Sequence, residues 1–230
     1  MPSLITSYFA QSIHTGSGDS STLSTPSFTP SNGEVIVVKA ATWDTGTASG
    51  TPSGGGLTYT QRATAAPGGF AGYCTIFTSV VSGSPGSMTV TLSAPAGSCY
   101  HSMVVERWSG AQLAATPASN ATIFANGSAP SATITTTGTN SIITWANVDV
   151  NVNDPAARAY LSGATEDGLA DGHDTAASVH YYAYQTAASA GSQTIGMSAP
   201  SNQRWSMIGI EVQDAPVVAT AQGAFLTFFR

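Results

Sequence analysis

Apolar and polar residues alternate along this chain in runs too short for helices. Residues 35 to 38 read Val-Ile-Val-Val, a β-branched stretch with no polar side. Such a run predicts a strand covered on both faces, or one at the centre of a sandwich. Elsewhere the period is two, as in Val90 and Leu92 or Met103 and Val105, the signature of strands with one buried face. No stripe of apolar residues at i, i+3, i+4 and i+7 persists for three turns. Asn32-Gly33, Ser82-Gly83-Ser84-Pro85-Gly86 and Ala94-Pro95-Ala96-Gly97 punctuate the runs as turns. Turn signals at about 8–12 residue spacing predict an all-β protein, a jelly-roll-like antiparallel β-sandwich.

The pattern repeats. Residues 73–108 return without a gap as residues 178–213, an offset of 105 (178−73). Gly86, Ser87, Thr89, Ser93, Ala94, Pro95 and Glu106 meet Gly191, Ser192, Thr194, Ser198, Ala199, Pro200 and Glu211. Val90 and Leu92 meet Ile195 and Met197, while Met103 and Val105 meet Ile208 and Ile210. A gapless match in strands predicts that paired residues face the same way. The chain therefore divides into an arm or edge strand over 1–20, a sandwich over 21–213 and an attachment segment over 214–230. Half-repeats of about 21–108 and 131–213 each give strands to both sheets. Two separate immunoglobulin-like domains of about 100 residues are the alternative. Residues 109–140 carry the crossover and one or two strands, Thr133–Thr137 foremost.

Composition narrows the function classes. Charged residues make up 8% of the 230 positions, against about 25% in an ordinary domain. The surface is therefore rich in hydroxyls and poor in charge. The net charge is −6, and the six basic residues, Lys39, Arg62, Arg107, Arg158, Arg204 and Arg230, are scattered. That excludes nucleic acid and anionic membranes as partners, since both require clustered cations. No run approaches the roughly 20 apolar residues of a membrane span. The first twenty residues lack the basic and apolar regions of a secretory signal, so synthesis in the cytosol is expected. Cys74 and Cys99 open two strands that flank a common neighbour, about 9–10 Å apart, which favours reduced thiols over a disulfide.

Candidate chemistry is sparse. Glu106 and Glu211 offer the two carboxylates of a glycosidase, but the repeat alone accounts for the pair. Asn147, Asp149, Asn151 and Asn153 alternate with valines and share one strand face. They lack the sixth-place Gly and twelfth-place Glu of a calcium loop, which leaves valines inward and a polar face in water. Glu166, Asp167, Asp171, His173, Asp174 and His180 form an acidic Gly-rich stretch without metal-ligand spacing, expected as an exposed loop. Gly54-Gly55-Gly56 has no following helix and is not a phosphate loop. No G-x-S-x-G elbow is present, and with so many serines a chance Ser–His pair says nothing. The expectation is a protein that is not an enzyme, with no catalytic residue, cofactor or metal. Tyr100, Tyr181, Tyr182, Tyr184 and Trp205 are candidates for an aromatic platform that binds glycan or protein. Phe225, Leu226, Phe228 and Phe229, with Tyr8 and Phe9, are candidates for oligomer or attachment contacts.

The runs SFTPSNGEVIVVKAAT, GGGLTYTQRATA, APAGSCYHSMVVERWSGA, SAPSATITTTGTNSIITWA and SAPSNQRWSMIGIEV together resemble a β-sandwich domain of virion proteins from tailed phages of actinobacteria. The resemblance spans about residues 21–213. The P-x-G-V-x-x-G-D turn common before the buried strand in such domains is reduced here to Thr29-Pro-Ser-Asn-Gly-Glu34. The resemblance implies a capsid decoration, head-fibre or minor tail protein, located on the virion and mounted as a homo-oligomer, most simply a trimer. It implies other virion proteins as partners and transfers no site residues. A module that binds host cell-wall glycan is the alternative function.

Overall fold

The computed structural model describes residues 1–12, 22–43, 49–65, 72–95, 100–113, 119–150, 157–170 and 178–216, with the backbone alone for 119–127. The described residues are strands, bridges and turns, without an α-helix. The first copy contributes β1 (Ser3–Gln11), β2 (Leu23–Ser24), β3 (Val35–Trp43), β4 (Thr60–Ala65), β5 (Tyr73–Val80), β6 (Thr91–Leu92) and β7 (Tyr100–Ser109). The crossover supplies β8 (Ala111–Leu113) and β9 (Ser119–Ser128). The second copy contributes β10 (Ser131–Thr136), β11 (Ser141–Asp149), β12 (Ala159–Tyr160), β13 (Thr165–Ala170), β14 (Val179–Ala187), β15 (Gly191–Ala199) and β16 (Gln203–Asp214).

All pairings are antiparallel, and the protein is the β-sandwich that its alternating pattern predicts. One large sheet has the order β1-β7-β3-β5-β4. The other runs β13-β14-β11-β16, with β8 and β9 sharing the far edge of β16. Read from that edge, its β16-β11-β14-β13 matches β7-β3-β5-β4 of the first. Each copy also has a small sheet: β2 with β6, extended by bridges Phe28–Met88 and Ser53–Thr91, and β10-β15-β12.

Three cores follow from this layering. Leu23, Phe28, Ile36, Val38, Phe77, Val90 and Leu92 fill the space between the first small and large sheets. Ile134, Ile143, Trp145, Tyr181, Ile195 and Met197 do so in the second copy. The third core lies between the two large sheets, where Val35, Val37, Ile76, Val104 and Trp108 of the first meet Ile142, Ala146, Val148, Tyr182, Ile208 and Ile210 of the second. The arrangement thus has four layers. It differs from a single jelly roll because the two copies share no sheet: among the described strands, those of one copy never pair with those of the other. The reason is in β3, where Val35–Val38 is apolar on both faces. One face takes its own small sheet and the other requires the second copy.

The β16 strand departs from the gapless alignment. In β7, Val104 and Trp108 face the central core and Met103 and Val105 the outer one. In β16, Ile208 and Ile210 face the central core and Met207 the outer one. Met103 and Val105 therefore do not correspond to Ile208 and Ile210. The two copies reach this strand through connections of unequal length, and one residue of slip exchanges the faces.

Gly196, in β15, shows where the outer layers are tight. Its φ is +115°, and a Cβ there would run into the Pro130 carbonyl oxygen and Ser131 Cα. Gly163 has φ +66° but open space around it. Gly196→Ala is expected to cost about 2–4 kcal/mol, from strain and overlap together. Gly163→Ala should cost only about 1 kcal/mol, the left-handed penalty alone. Urea unfolding of the two variants measures the difference.

Candidate functional site

The central core is apolar except along one polar seam. On β3 the odd residues Val35, Val37 and Ala41 face the second copy, and Lys39 falls among them. Its side chain is wholly buried. The ammonium donates to Glu106 Oε1 at 2.7 Å and to Asp167 Oδ1 and Oδ2 at 2.8 Å each. Glu106 comes from the adjacent β7, paired with β3 at Val37. Asp167 comes from the other copy. The pairing of β13 with β14 slips between Glu166 and Gly168, so Asp167 is the extra residue of a β-bulge. A bulge re-aims a side chain, and here it delivers a carboxyl to the seam.

Glu106 is held firmly. Trp108 Nε1 donates to Oε2 at 2.9 Å, and Thr144 Oγ1, from β11 of the other copy, donates to Oε1 at 2.7 Å. Burial by itself would raise the Glu106 pKa. The Lys39 charge and the hydrogen bonds from Asp167, Lys39 and Thr144 outweigh it and hold the carboxyl below the usual range. Asp167 goes the other way. Burial drives its carboxyl well above the ordinary value, and the neighbouring Glu106 charge adds to this against the pull of Lys39. One amine thus stands before two carboxyls of opposed tendency, Glu106 held down and Asp167 pushed up. The Tyr182 ring, 5.8 Å from the ammonium, covers this group.

A second cluster crosses the same seam. Ser102 Oγ lies 2.6 Å from His180 Nδ1 and 2.7 Å from the Tyr182 hydroxyl, and all three residues are buried. The Tyr100 ring packs on the His180 ring with centroids 4.7 Å apart. Burial, with a small contribution from His101, pulls the His180 pKa down to about 3. The pair has Ser–His spacing, but among the described residues both side chains are closed off from solvent. His180 Nε2 has no partner among the described residues, so the orienting acid of a triad is not in place. Cys74 is a free, buried thiol whose pKa burial pushes up. Cys99 lies outside the described residues.

The structure moves most residues singled out from sequence. Tyr100, Tyr181, Tyr182 and Trp205 are core residues, not a platform. Tyr184 is half-buried, edge-on to Trp108 at 5.3 Å between centroids. A row of rings this large fills the core before it reaches solvent. Glu106 and Glu211 are not equivalent, since the slip described above puts them on opposite faces. Glu211 accepts from the Thr137 and Gly138 amides at 3.0 and 2.8 Å and from Ser141 Oγ at 2.7 Å, which clamps the turn into β11. Its counterpart in role is Glu34, which accepts from the Ser31 amide and from Arg107 Nε and Nη2, clamping the turn into β3.

Asn147 and Asp149 are fully buried. The expected polar face in water is absent because β10-β15-β12 covers that side of β11. Asn151, Asn153, Asp171, His173 and Asp174 lie outside the described residues, as do Phe225, Leu226, Phe228 and Phe229. Glu166 bonds Arg158 Nε and the Tyr160 hydroxyl at 2.5 and 2.6 Å, while Asp167 and His180 are buried and not on an exposed loop. Tyr8 is half-buried and stacks on Phe28 at 5.1 Å, and Phe9 is 38% exposed. Lys39 carried no sequence signal beyond one: a lone cation in a strand apolar on both sides has to find an anion.

His180 makes stability depend on pH. Its folded pKa lies below the unfolded value of about 6.5, so the unfolded chain takes up the proton first and acid favours unfolding. The stability is present in full above pH 6.5 and is lost progressively towards pH 3. Between pH 6.5 and 5 the loss from this group is about 2 kcal/mol. Unfolding free energies from urea titration at pH 7.5 and 5 should differ by that amount more in the wild type than in His180→Asn.

Comparison with family models, curated proteins and solved structures finds no match to this chain.

Proposed function

We propose that this chain is a non-enzymatic structural protein of the virion surface of a tailed phage, a capsid decoration or minor tail protein mounted as a homo-oligomer. The observation that carries the reading is where its few charges go. Lys39, Glu106 and Asp167 are buried in the seam, and Arg107 and Glu34 pin an outer turn. Charges used this way make two sandwiches into one stiff block with a hydroxyl-rich exterior. A rigid block of this kind suits a part that is bolted to neighbours.

The β1 strand supplies a contact of the right kind for a second copy. Among the described strands it is an edge strand, paired with β7 on one side, and a sheet edge can accept another strand. Ile5 and Phe9 project from it, 44% and 38% exposed. Light scattering on the purified chain should give a closed oligomer, with a trimer as the simplest outcome. Ile5→Ser with Phe9→Ser should weaken self-association by about tenfold or more. Proteomics of gradient-purified phage particles should find the chain at fixed stoichiometry. A monomer that stays in the soluble fraction and is absent from particles would refute the reading.

A further inference from the structure

We propose that Lys39 and Asp167 become joined by an amide bond, formed within the folded chain with Glu106 as proton carrier. The arrangement is that of a reaction about to occur. Lys39 Nζ is 2.8 Å from both Asp167 oxygens. The carboxyl carbon, bonded to both, therefore lies within about 3 Å of the amine, inside the near-attack separation. Glu106 Oε1 is 2.7 Å from the same nitrogen. It is fixed there by Trp108 and Thr144, so it can exchange protons with both partners without moving.

Burial makes the ionic alternative costly. Two carboxylates and one ammonium would leave a net negative charge in a dry core, so one carboxyl keeps its proton. That carboxyl is Asp167, which burial and its Glu106 neighbour push up. A protonated carboxyl is an electrophile whose hydroxyl can leave as water. In the step itself, Nζ passes a proton to Glu106, and its lone pair attacks Asp167 Cγ to form the C–N bond. Glu106 then gives that proton to the departing hydroxyl, the C–O bond breaks, and Glu106 takes up the second proton that the nitrogen releases. The sum is ammonium, carboxylic acid and the Glu106 carboxylate to amide, water and a neutral Glu106. It needs no oxidant, cofactor or activated group. It removes charge from an apolar space, and the expelled water is kept from returning.

The consequence is architectural. Lys39 lies on β3 of the first copy and Asp167 on β13 of the second, closing a loop of 128 residues (167−39). The bond fastens the two sandwiches to each other. It also restricts the unfolded chain as any long-range cross-link does. This inference concerns the chain alone and holds or fails independently of the virion reading.

Intact-mass measurement of the denatured full chain tests it. The expected mass is one water below that of the sequence, with proteolysis yielding a branched peptide that joins the Lys39 and Asp167 segments. Asp167→Asn preserves the shape of the site and should lose one ammonia instead of one water, which identifies the acyl group. Glu106→Gln should slow bond formation by about 100-fold or more, seen as chain of full mass early after expression. A folded wild-type chain at full sequence mass would overturn the proposal. So would a water loss that survives in Lys39→Met. Rapid, complete bonding in Glu106→Gln would remove Glu106 from the step.

Discussion

A sheet that is apolar on both faces has to be covered twice, and everything else in this protein follows from that. The β3 strand has Ile36, Val38 and Ala40 on one side and Val35, Val37 and Ala41 on the other, all buried. A two-layer sandwich would leave one of those faces in water. Placing two sandwiches back to back buries both. Neither copy has a self-sufficient large sheet. The unit that folds is the pair, and the docking of its halves belongs to stability as much as the packing within each.

Apolar docking is permissive, since smooth β-branched surfaces slide past one another at small cost. The polar groups in the seam remove that freedom. Lys39 with Asp167, Thr144 with Glu106, and Ser102 with His180 and Tyr182 each join one copy to the other at a fixed point. Buried ionic groups often add little net stability compared with apolar replacements. Their effect is to make other registers of the two sheets expensive, because a shift of one residue would strand an ammonium or a carboxylate without a partner.

Sequence carried the layers better than the site. The run Val35–Val38 gave away a strand covered on both faces, and the alternating stretches gave away the antiparallel sheets. The repeat was visible, but identities such as Pro95 with Pro200 fixed an alignment one residue out for β7 and β16. A strand has only two faces, so that single residue turned Glu106 and Glu211 into an apparent pair. The polar side of β11 misled for a related reason: Asn147 and Asp149 alternate with valines like residues on a solvated face, and the strand above them is far away in sequence. Asp167 was hidden most deeply. Its inward direction comes from a bulge, and a bulge breaks the period that strand reading relies on.

The bulge also shows why the two copies had to differ. The pairing of β4 with β5 slips at Arg62, between Gln61 and Ala63, just as that of β13 slips at Asp167, 105 residues later (167−62). The same irregularity carries a cation in one copy and an acid in the other. Arg62 turns its Nε to Thr78 Oγ1 at 2.6 Å and stays half-buried, while Asp167 enters the seam. A symmetric seam with lysines on both central strands would bring two ammoniums into one dry space, and neither could be neutralised by a single acid. Opposed faces of a doubled sandwich can share an apolar surface but not a charge. Lys39 therefore has no twin: the β11 residues nearest in role, Thr144 and Ala146, are uncharged, and Thr144 instead donates a hydrogen bond to Glu106. The asymmetry is what lets one amine and two carboxyls converge at a single point between otherwise matching sheets.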